Sequence, residues 1–60
     1  MDIRDNLQSA INEAESHRGS YIIAAYSSRD QSTTEMCEKM AESLENHISY
    51  LTNCLNSLEQ

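Results

Sequence analysis

Four side chains could ligate a metal or take part in nucleophilic or acid–base chemistry: His17, His47, Cys37 and Cys54. Paired carboxylates at Glu13/Glu15 and Glu42/Glu45 could in principle share a proton. Helical surfaces show such carboxylate pairs routinely, and the histidines and cysteines fail on spacing. If the chain folds back near residue 30, positions whose numbers sum to about 60 lie level along a helical pair. His17 then falls near Ser43, His47 near Glu13, Cys37 near Ile23 and Cys54 near Asn6. Four groups spread along a rod cannot close a tetrahedral site. The two cysteines lie seventeen residues apart on one expected helix, or roughly 25 Å, too far for an intrachain disulfide. Several serines exist, Ser16 next to His17 among them, but no pattern pairs either histidine with a nucleophile. With one glycine in the chain, no phosphate-cradling loop can form. No catalytic, cofactor-binding or metal site is therefore expected, and the chain reads as a non-enzyme.

The elements that would position these groups are helices. Cys37, Ala41, Leu44, Ile48, Leu51, Leu55 and Leu58 recur at alternating spacings of four and three. Only an α-helix puts such positions on one stripe, and a 3.5-residue period held this long marks the seam of a coiled-coil-like packing. The earlier half carries Ile3, Leu7, Ala10, Ile11, Ala14, Tyr21, Ile22, Ala24 and Ala25 at similar spacing, interrupted by His17 and Arg18. Leu7 and Ile11 are its strongest core candidates. Asp2 is a good N-cap, with Asp5 adding negative charge to the first turn.

Residues 27–34 read Ser-Ser-Arg-Asp-Gln-Ser-Thr-Thr, a run that favours turns and caps. Ser32 followed by Glu35 fits a capping box. The spacing thus predicts an all-α antiparallel hairpin, with helices at about 2–28 and 33–58 in one domain, 1–60. One continuous helix, or a break at Gly19-Ser20, are the competing arrangements.

The second helix is too apolar for a hairpin alone. Met36, Met40, Ser43, His47, Tyr50, Cys54 and Ser57 form a half-apolar stripe just before the seam. That width predicts a homodimer closing into a four-helix bundle. The layout resembles the small antiparallel helical-hairpin dimers that include a plasmid RNA-binding repressor, in length, helix number and bare turn. The resemblance implies the bundle architecture. The RNA-binding role does not carry over, because this chain lacks a basic face.

Four basic and ten acidic residues give a net charge of −6, which argues against direct nucleic-acid binding. Arg18 and Lys39 are expected to pair with nearby glutamates on their own helices. The longest apolar run, Tyr21 to Tyr26, is far too short to span a bilayer. Asp2, Arg4 and Asp5 directly after Met1 do not read as a leader, so a cytoplasmic chain with reduced thiols is expected.

Two surfaces stand out as partner-binding candidates. Ile23 and Tyr26 are apolar groups at the end of the first helix, Ile23 on an otherwise polar line. Glu35, Glu38, Glu42 and Glu45 form an acidic row. The sequence therefore reads as a small protein-binding regulator or adaptor, of a kind with the accessory products of phages and mobile elements. The alternative is an acidic nucleic-acid mimic that inhibits a DNA- or RNA-binding protein.

Overall fold

The computed structural model describes residues 2–58, which form two helices: α1 (Ile3–Ser27) and α2 (Gln31–Leu58). They pack against each other along their length as an antiparallel hairpin of 46 × 17 × 11 Å. α1 opens where the sequence predicts. Asp2 sits outside the helix, its side chain accepting a hydrogen bond from the Arg4 backbone N–H at 3.3 Å. It runs unbroken through Gly19, whose backbone stays helical, which removes the break at Gly19-Ser20, and the non-helical residues 28–30 remove the single continuous helix.

The start of α2 differs from expectation. Helix begins at Gln31, so Ser32 lies inside the first turn and cannot be its N-cap. Asp30 takes that role: its carboxylate accepts from the Thr33 N–H at 2.9 Å and from the Thr33 hydroxyl at 2.7 Å. An ionised carboxylate accepting two bonds outcompetes a serine hydroxyl two residues later. The turn is tightened by Ser28, whose hydroxyl accepts from the Asp30 N–H and donates to the Asp30 carbonyl. The Ser28 N–H in turn closes α1 by donating to the Ala24 carbonyl at 3.0 Å.

The α2 stripe packs inward as expected. Cys37 is buried, and Ala41, Leu44, Ile48, Leu51 and Leu55 are half-buried. Leu58 is a correction: it is exposed, as is Ile3, because both lie at the open end of the hairpin, where no third element covers them. On α1 the packed line is Leu7, Ile11, Ala14, Arg18, Tyr21, Ala25 and Ser28, every one buried or half-buried. Arg18 therefore does not interrupt the stripe but belongs to it. Its aliphatic stem can cover the seam while the guanidinium reaches water. Ile22 and Ala24, counted as apolar stripe positions from sequence, are exposed to the sides.

Only Ile11, Ala14 and Cys37 are buried among the described residues. Two helices alone can cover one line of each other and nothing more.

Candidate interaction surface

Antiparallel packing gives the hairpin two long sides. In such a pair, the stripe just after the seam on one helix meets the corresponding stripe on the other, and likewise for the stripes just before it. One side therefore combines Ile22 and Tyr26 of α1 with the glutamates of α2. The other combines Ala10, Glu13 and His17 with Met40, His47 and Cys54.

On the first side a groove of about 380 Å3 is lined by Arg18, Ile22, Ala25 and Tyr26 from α1 and by Glu38, Ala41, Glu42 and Glu45 from α2. The Tyr26 ring is 89% exposed beside it. The two kinds of partner-binding candidate, apolar and acidic, thus meet in one place: Tyr26, Glu38, Glu42 and Glu45 all line this groove. Ile23 and Glu35 do not. Ile23 sits midway between the seam positions Tyr21 and Ala25, so it projects from the back of α1 and is 67% exposed. Sequence reasoning missed Ile22 and Arg18 as groove residues. Ile22, four residues before Tyr26 on the same line of α1, was the available signal.

Arg18 is half-buried at the floor of a groove that carries three glutamates, yet no ion pair within 4.0 Å forms there. Among the described residues the one salt bridge joins Arg4 to Asp2 at 3.9 Å, both half-exposed. The expected surface pairs of Arg18 and of Lys39 are not made. The groove consequently keeps an unpaired row of carboxylates against an apolar wall.

On the opposite side, a shallow cleft of about 220 Å3 is lined by Ala10, Glu13, Ala14, His17, Leu44 and His47. His17 and His47, expected to be spread apart, share this cleft with Glu13, because α1 and α2 pass each other near mid-length there. Among the described residues no three His, Cys, Asp or Glu side chains come close enough to hold a metal ion. Cys37 and Cys54 are both free thiols. Among the described residues, no helix is long and apolar enough to cross a membrane.

One carboxyl departs from its ordinary behaviour. Hydrogen bonds from the Thr33 hydroxyl, and then from the Thr33 backbone N–H, hold Asp30 below the usual carboxylate range. It belongs to the turn and lines neither side.

Comparison with protein-family models, with curated proteins and with solved structures gave no match for this chain.

Proposed function

We propose that this chain is a cytoplasmic, non-enzymatic, homodimeric helical protein that acts as a regulator or adaptor by binding another protein. The observation that carries the reading is the groove of Ile22, Tyr26, Glu38, Glu42 and Glu45. Apolar side chains left uncovered beside unpaired carboxylates suit a segment that is itself both apolar and basic. An amphipathic helix with Lys or Arg along one edge has that chemistry. Burial of Tyr26 and Ile22 would supply most of the affinity, and the glutamates would supply orientation and association rate.

The acidic row also supports a second reading, mimicry of nucleic acid. Glu35, Glu38, Glu42 and Glu45 are exposed and follow helical spacing along one edge of α2. A partner recognised by charge alone would be a protein with a basic nucleic-acid groove.

The two readings part on salt and on the role of Tyr26. Capture from a lysate of the native host, read by mass spectrometry, is expected to give a partner that Tyr26→Ser loses as completely as the fourfold Glu→Gln variant of the row. Part of that binding should survive high salt. Binding that ignores Tyr26→Ser, vanishes in high salt and depends only on the four glutamates would establish mimicry instead. If both variants retain the same partner as the native chain, the groove is not the working surface.

A further inference from the structure

We propose that a second copy of this chain covers the side of the hairpin formed by Met36, Met40, Tyr50 and Cys54 of α2 with Ala10 and Ala24 of α1. The inference rests on the homodimeric part of the reading above and specifies which surface makes the dimer.

Area is the first support. The accessible surface of the hairpin is 4671 Å2, whereas a compact monomer of 6.8 kDa is expected to expose about 3,950 Å2. The excess of about 700 Å2 is close to the ~800 Å2 that each partner gives up in a standard stable interface. Apolar side chains lie open on this side: Met36 is 59% exposed, Met40 40% and Tyr50 68%.

Charge selects between the two sides. The chain carries −6, so two copies repel unless they meet where carboxylates are few. The groove side holds Glu15, Glu35, Glu38, Glu42 and Glu45. Pairing two such sides would bring ten carboxylates together in a water-poor layer, with only the two Arg18 guanidinium groups of the grooves against them. On the opposite side Glu13 is the sole acidic residue and there is no Lys or Arg. Shape agrees with charge. Ala10 and Ala24 leave room for a neighbouring helix to approach, and the flexible side chains of Met36 and Met40 can fill the gaps that remain.

The symmetry of such a dimer is constrained. A two-fold axis relating two copies face to face lies in the plane between them. If it runs along the hairpin, or across it at mid-length so that the two faces overlap fully, mid-length meets mid-length. His17, Ser43 and His47 then sit at the centre of the interface. The acidic grooves remain outside, one on each flank, so the dimer presents two equal docking sites. Ile23 also stays free, because it projects from the back of α1.

Sedimentation equilibrium at micromolar concentration tests the assignment. The native chain should sediment at twice 6.8 kDa. Met40→Asp/Tyr50→Asp should sediment at the single mass while keeping its helical circular dichroism, whereas Ile22→Ser/Tyr26→Ser should remain at the doubled mass. Alkylation of Cys54 in the native chain gives an independent readout. Its rate should fall several-fold as the chain is concentrated through the association range. Should the aspartate pair fail to fold, that protection decides: a doubled mass with no slowing at Cys54 overturns the proposed face. A native dimer broken by Ile22→Ser/Tyr26→Ser, and left intact by Met40→Asp/Tyr50→Asp, overturns it as well and moves the interface to the groove side. A native chain that is a monomer at every concentration overturns the homodimer itself, and the face with it.

Discussion

The two helices of the hairpin contribute unequally to the packing that holds them together. α2 lines the seam with Cys37, Leu44, Ile48, Leu51 and Leu55, a nearly unbroken apolar row. α1 answers with Leu7 and Ile11 near its start, then with Ala14, Arg18, Tyr21 and Ala25. Small side chains on one helix let the larger ones of the other approach the backbone, which explains why Ala14 is 5% exposed while every seam leucine remains partly open. The difference teaches where stability is concentrated. The sealed positions are Ile11 and Ala14 in the first half of α1 and, nearer the turn, Cys37 of α2. The stretch from His17 to Ser20 carries the charge, the glycine and two polar neighbours, and depends on α2 for its helical state. α2 carries the clearer amphipathic pattern, but an isolated helix is marginal in water, and each helix is held by the stripe of the other.

The strongest way to break this contrast is to attack the seam where α1 contributes most. Ile11→Asp places a carboxylate at a position that is 6% exposed with no partner. The cost, several kcal/mol, takes most of the roughly 5–10 kcal/mol that a small domain commands. Loss of the helical circular dichroism signal of both helices is expected, since neither buries its stripe alone. If α2 stays helical after this change, the dependence of the two helices is not mutual.

A milder change should strengthen α1 without touching the seam. Gly19 has helical backbone, and a Cβ built on it meets nothing within 4 Å. Gly19→Ala should therefore stabilise by about 0.5–1 kcal/mol, read as an increased urea midpoint with unchanged slope. No gain would mean that the middle of α1 is already held rigid by α2.

The smallest effect belongs to the turn that joins the two helices. Asp30 has its carboxyl pKa lowered in the folded chain, so its ionised form stabilises the fold above the ordinary carboxylate pKa. That contribution fades as pH falls through the lowered folded value. Asp30→Ala should depress the thermal midpoint modestly at neutral pH. The gap between variant and native chain should close in strong acid. A gap independent of pH would assign the effect to backbone propensity and not to the cap.

Much of this fold was legible beforehand. The four-three spacing in α2 encodes a helix and its buried line, because 3.6 residues per turn leave no other geometry. The Ser- and Thr-rich stretch at 27–34 encodes a turn, and Asp2 encodes the start of α1. The start of α2 was misplaced by two residues because Ser32 and Asp30 both satisfy the local pattern of a cap. The choice between them was made by Thr33, which offers Asp30 two donors at once.

What tertiary structure alone decided is which stripes share a side. Nothing in either helix says that Ile22 and Tyr26 will stand beside Glu38, Glu42 and Glu45, or that Arg18 will fill a seam position. Those relations arise when the antiparallel turn sets one helix against the other. Each stripe is periodic within its own helix, but the meeting of two stripes depends on the rotation and level at which the helices pack. The groove, and the opposing side nearly free of charge, exist only once that packing is made.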